Sequence, residues 1–155
     1  MENLVRNPIL FRFFLLQKLP LAFLAGLRVK RYDEQACEVK LRYSYLTKNP
    51  FKSIYFAALA MAAEMSTGLP ALLLIRKSNV AVSMLVTQLT ARYSKKARGR
   101  IFFRFEDITA MEALIQKTAQ TGEGVSFTAI SRGFDEQGDE VAVFEIEWSF
   151  KRYSR

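Results

Sequence analysis

Glu64 ends a run, Ser53 to Ala63, that carries no charged side chain. A carboxylate at the end of an apolar helix loses solvation, which raises its pKa and makes it a better general base near neutral pH. Backbone N–H groups free at the start of the same helix, near Tyr55 and Phe56, are suited to polarise a carbonyl oxygen. Asn49, just upstream, offers an amide to hold a carbonyl or a water. Together these residues outline a hydrolytic site. The plainer alternative is that Glu64 emerges into solvent at the helix end while Asn49 caps a turn before Pro50, since charged residues commonly mark helix ends.

Other chemistries are excluded by what the chain lacks. It has no histidine, so no Ser-His-Asp or Cys-His pair and no imidazole acid or base. With one cysteine, Cys37, and no histidine, no metal site and no cofactor are expected, and no internal disulfide. A reducing, cytoplasmic setting follows as the expectation. Gly122-Glu123-Gly124 begins like a dinucleotide fingerprint but has Phe127 where the third glycine belongs, and it precedes a strand, so it reads as a turn.

The elements around the site follow from periodicity. The helix is predicted to be capped by Ser53, to run from Ile54, and to stop near Gly68, with Pro70 just beyond. Before it, Leu27 and Val29 alternate with Arg28 and Lys30. After a turn at Asp33-Glu34-Gln35, Val39, Leu41, Tyr43 and Tyr45 share one strand face. Val80–Tyr93 is apolar through its first half, which predicts cover on both faces, one of them from a second subunit. A basic turn leads to Ile101, Phe103 and Phe105, then a helix over Thr109–Thr121. A hairpin of Val125–Phe134 and Val141–Tyr153 closes the chain, with Phe144, Ile146, Trp148 and Phe150 facing one way. The sum is an α+β chain: an antiparallel sheet of five to six strands around one helix. At 155 residues one domain is expected over 1–155.

Pro8–Leu27 is rich in Phe and Leu, but Arg12, Gln17, Lys18 and Pro20 interrupt it, so no integral membrane span is expected. A helix pair packed on the domain is the leading expectation, with docking on a membrane surface as the alternative. The balance of 23 basic to 15 acidic residues gives +8, a surface that attracts nucleic acid, anionic lipid or a phosphorylated small molecule.

The order strand–strand–helix–strands and the phrase Asn49–Glu64 resemble the hot-dog thioesterase-like superfamily, nearest the phenylacetate-pathway and 4-hydroxybenzoyl-CoA thioesterases. Many of these read Asn-x-x-Gly-x-x-His-Gly-Gly at the helix entry, with an acid nine residues after the histidine. Asn49 and Glu64 match; Lys52, Tyr55, Phe56 and Ala57 depart from the earlier glycine, the histidine and the glycine pair. Leu89 to Arg100 is similar to the family's phrase ending in a basic turn and glycine. The resemblance covers about Leu27 to Lys151, so residues 1–26 form an added helical extension to a hot-dog core over 27–155.

The resemblance implies hydrolysis of an acyl-CoA or related thioester at the interface of a homodimer, or a tetramer of such dimers. The helix-start N–H near Phe56 would bind the thioester oxygen, Glu64 would act as base or nucleophile, and Asn49 would orient. Tyr55 offers a hydrogen bond but is a poor base near pH 7, its reference pKa being about 10. Arg92, Lys95, Lys96 and Arg98 would attract the phosphates of coenzyme A, or form a solvated basic hairpin. A non-catalytic dimer that binds acyl-CoA or builds an assembly is the alternative, favoured by the lost histidine and glycines. Nucleic acid is not expected, because the apolar residues of each strand gather on one face as core rather than as stacking platforms.

Overall fold

The computed structural model describes residue 5 and residues 7–153. Asn7 caps the first helix, α1 (Pro8–Lys18), accepting hydrogen bonds from the backbone of Ile9 and Leu10. Pro20 opens α2 (Pro20–Ala25), which Gly26 closes at φ 76°. Six strands follow: β1 (Arg28–Tyr32), β2 (Cys37–Arg42), β3 (Val82–Tyr93), β4 (Arg100–Phe105), β5 (Val125–Phe134) and β6 (Glu140–Arg152). Between β2 and β3 lies the long helix α3 (Phe56–Lys77), and between β4 and β5 lies α4 (Ile108–Thr121).

All pairings are antiparallel, in the order β1-β2-β4-β5-β6-β3. One face of this sheet wraps α3. Val39, Leu41, Ile101, Phe103, Phe105, Phe144, Ile146 and Phe150 are fully buried beneath it, at about 1.5–3 kcal/mol per large apolar side chain. The alternation in the sequence marks these residues correctly.

Three local expectations are corrected. Ser53 is not the cap: Tyr55 is, and α3 starts at Phe56. Ser53 is instead tied into the preceding loop by Asn49. The helix also does not stop at Gly68 but continues through Pro70 to Lys77. A mid-helix proline costs about 3 kcal/mol, yet the turn beyond it buries Leu73, Leu74 and Ile75, which together outweigh that cost. Finally, β2 ends at Arg42, so Tyr43 and Tyr45 lie past the strand and are exposed rather than inward-facing.

Strand β3 stands at the sheet edge and, among the described residues, pairs with β6 alone. Val82 is buried on its inner face, while Leu85 on the outer face is 65% exposed. The chain by itself covers one side of this strand, not both. By length and hydropathy α3 would cross a membrane, but most of it is enclosed within the fold.

Candidate active site

The start of α3 is held by a tightly bonded loop. Asn49 Oδ1 accepts from the backbone N–H groups of Phe51 and Ser53, at 2.9 and 3.2 Å, while Nδ2 donates to the Ile54 carbonyl at 3.4 Å. Its amide is thus turned into its own loop. Ile54 N–H donates to Ala97 O, and Tyr55 N–H to Thr47 O at 2.7 Å. The Tyr55 N–H, one of the expected free donors, is therefore engaged. No side chain caps the helix, and among the described residues the N–H groups of Phe56 and Ala57 have no partner. These two are the free donors.

Lys52 in this loop has φ 57°. It occupies the position where the resembling pattern carries its first glycine, and the left-handed backbone explains that preference.

Between Phe56 and Ala71 of α3 the partly covered residues are Ala57, Ala60, Met61 and Glu64, a stripe at i, i+3, i+4 and i+7; beyond them Leu72 is partly covered too. The stripe runs from the free donors to the carboxylate. Opposite lies the edge strand: Leu89 and Ala91 pair with the inward residues Ile146 and Phe144, and so share the inner face. Tyr93 lies edge-on to the Phe144 ring at 5.7 Å. Leu89 and Tyr93 nevertheless remain accessible. At the start of α3 a cavity of about 610 Å³ is lined by Asn49, Tyr55, Phe56, Tyr93, Lys95 and Lys96, among others.

Glu64 sits two turns down from that cavity. Its Oε1 lies beside Gly68, as does the ring of Trp148, and among the described residues its carboxylate has no hydrogen-bond or ion-pair partner. Burial raises its pKa above the usual carboxylate value. Trp148 is itself fixed, donating from Nε1 to Thr67 Oγ1 at 3.0 Å, and that hydroxyl donates to the Glu64 carbonyl at 3.0 Å. The sequence marks Trp148 as inward-facing but gives no sign of its place beside Gly68 and Thr67. Gly68, assigned to a helix end, is instead what admits the carboxylate and the indole so closely to the helix.

The four basic candidates divide. Arg92 pairs with Glu145 on the outer face at 3.0 Å, and Lys95 is clamped between Asp135 and Asp139, both at 2.7 Å. Lys96 and Arg98 are exposed and have no ion pair among the described residues. Also among the described residues, no three acidic or cysteine side chains are grouped to hold a metal ion.

A family model described as a domain of unknown function, DUF4442, matches residues 8–150. The chain belongs to the DUF4442 family. No curated protein matches it by sequence. In three dimensions this DUF4442 chain is similar to a Pseudomonas aeruginosa protein described as a probable thioesterase, with TM-score 0.75 and 20% identity over 95% of this chain and 97% of that one. It is also similar to a thioesterase of Haemophilus influenzae, with TM-score 0.72 and 12% identity over 94% and 91% of the two chains. A thioesterase enzyme of Staphylococcus aureus, crystallised as a glutamine-to-alanine variant, matches with TM-score 0.66 and 12% identity over 85% and 98%. The same Staphylococcus protein was also crystallised as a glutamate-to-alanine variant. These likenesses establish the hot-dog fold: an antiparallel sheet wrapped around one long helix, with helices added at the N-terminal end.

Proposed function

We propose that this DUF4442 protein hydrolyses an acyl-CoA or related thioester as a homodimer, with Glu64 as the general base. The observation that carries the reading is the state of Glu64: desolvated, without a partner among the described residues, and on the partly covered stripe of α3. A carboxylate with no structural bond to lose is free to act on a ligand, and burial holds its affinity for a proton closer to neutral pH.

The distance along the helix supports two-fold assembly. From Phe56 to Glu64 the axial rise is about 12 Å, too far for one protomer's donors and carboxylate to meet on one carbonyl. Two antiparallel helices would bring each Glu64 to the partner's helix start. The unpaired edge of β3, with no proline or lysine to protect it, is suited to extend into a second copy. Residues 27–155 would then be the hot-dog core and the preceding segment an appended extension.

In the reaction, the thioester oxygen lies at the N–H groups of Phe56 and Ala57, which stabilise its developing charge. Glu64 takes a proton from water as the water oxygen bonds to the carbonyl carbon. The carbon–sulfur bond then breaks, and the proton passes from Glu64 to the departing thiolate. Asn49 acts at one remove by fixing the loop that sets the helix start. Lys96 and Arg98, with no ion pair among the described residues, are the groups suited to the coenzyme A phosphates. Thiol release from a panel of acyl-CoAs, abolished in Glu64→Gln, is the expected result; equal release by the variant would refute the role of Glu64.

A second reading rests on Phe56. Its exposed ring, stacked edge-on to Tyr55 at 4.8 Å, adds bulk where the resembling pattern has glycine. That favours a dimer that binds acyl-CoA without turnover, and saturable binding with no thiol release would select it.

A further inference from the structure

The helical pair α1–α2 turns one side into the core and leaves the other bare. Phe11, Leu15, Ala22 and Ala25 are buried, whereas Ile9, Phe13, Leu16, Leu21 and Leu24 are about half or more exposed. Ile9, Phe13 and Leu16 form a stripe at i, i+4 and i+7. A contiguous apolar surface of this kind on a folded protein marks a docking face.

Its surroundings say what docks there. From Asn7 to Tyr32 the sequence contains five basic residues and no acidic one. Arg12 of α1 lines a single groove of about 540 Å³ with Arg28, Lys30 and Arg31 of β1 and Lys40 of β2. Arg28 and Lys40 are direct cross-strand partners, as are Arg42 and Arg100. Of these, Arg31 and Arg100 have carboxylate partners; Arg12, Arg28, Lys30, Lys40 and Arg42 have none among the described residues. Like charges paired across a sheet destabilise it, and the Arg28–Lys40 pair has no compensating carboxylate among the described residues.

We propose that the α1–α2 ridge and the flanking cations of β1 and β2 dock this protein on an anionic phospholipid bilayer. The apolar side chains enter the headgroup–acyl boundary, and Arg28, Lys30, Lys40 and Arg42 meet lipid phosphates. A second copy of the chain fits this face poorly. A two-fold contact through the ridge would set one cationic rim against another. The inference stands apart from the thioesterase reading, since neither Glu64 nor the cavity at the start of α3 enters it.

The test is sedimentation of the full chain with vesicles of mixed phosphatidylserine and phosphatidylcholine, and with phosphatidylcholine alone. Expected is binding to the anionic vesicles only, released by about 1 M salt, where charge interactions reach only about 3 Å. Phe13→Glu with Leu21→Glu, and separately Lys30→Glu with Lys40→Glu, should each cut binding about tenfold or more. Unchanged circular dichroism and melting curves would exclude unfolding as the cause. No binding to anionic vesicles would overturn the proposal. So would light scattering showing a larger oligomer that Phe13→Glu with Leu21→Glu dissociates.

Discussion

Gly68 and Glu64 are in direct apposition: a Cβ on residue 68 would sit 2.8 Å from Glu64 Oε1 and 3.0 Å from the Trp148 ring. The glycine is a space, and the carboxylate fills it. Replacing Gly68 with alanine favours the helix by about 1 kcal/mol, and the nearest obstacle is the mobile end of a side chain. Gly68→Ala is therefore expected to change the melting temperature by only a few degrees in either direction. The same variant should lose most thiol-release activity, because the carboxylate must swing away. A variant with full activity would show that the position of Glu64 is not critical.

The raised pKa of Glu64 also links stability to pH. In the unfolded chain its carboxyl ionises near 4.5; in the folded chain it holds its proton to higher pH. The stabilisation is full below the unfolded value and is lost as pH rises through the folded one. Glu64→Gln, which never ionises, should match the parent protein in melting temperature in acid. Above the folded pKa it should be the more stable of the two. Thermal melts at a series of pH values check this, and two curves that stay parallel would refute it.

The legible part of this fold is whatever repeats locally. Strand alternation places Phe103, Phe144, Ile146 and Trp148 inward because a pleated strand has a fixed period of two. The ends of α3 were less legible, for opposite reasons. Ser53 has the chemistry of a cap but is recruited by Asn49, and Pro70 has the chemistry of a stop but is overridden by the burial beyond it. The surroundings of Glu64 were not legible at all. Gly68 is one turn away, but Trp148 reaches the site only through the closing of the sheet, and no local pattern encodes that meeting.

Lys52 supplies a test of the loop that sets the helix start. A non-glycine residue in the left-handed region costs roughly 1–2 kcal/mol, part of which glycine loses again through its freer unfolded chain. The side chain of Lys52 is exposed and has no ion pair among the described residues. Lys52→Gly is expected to stabilise the protein by up to about 1 kcal/mol, seen as a higher urea midpoint at unchanged slope. A lower midpoint would mean that the lysine side chain contributes more than its backbone costs.

The buried link between Ser66 of α3 and Ser131 of β5 has a direction that can be tested by asymmetry. Their hydroxyl oxygens are 2.7 Å apart, and Ser66 Oγ is also 2.7 Å from the Ala63 carbonyl. That carbonyl only accepts, so the single Ser66 proton goes to it and the Ser131 proton goes to Ser66. Both residues are fully buried. Ser66→Ala strands the Ser131 donor in the core, at a cost of about 1–3 kcal/mol, whereas Ser131→Ala leaves the bond of Ser66 to Ala63 in place and costs nearer 1 kcal/mol. In the double variant no donor is stranded, so the two losses should not add, and a double-mutant cycle by urea denaturation should give a coupling above about 0.5 kcal/mol. Equal single losses that sum in the double variant would place the protons otherwise.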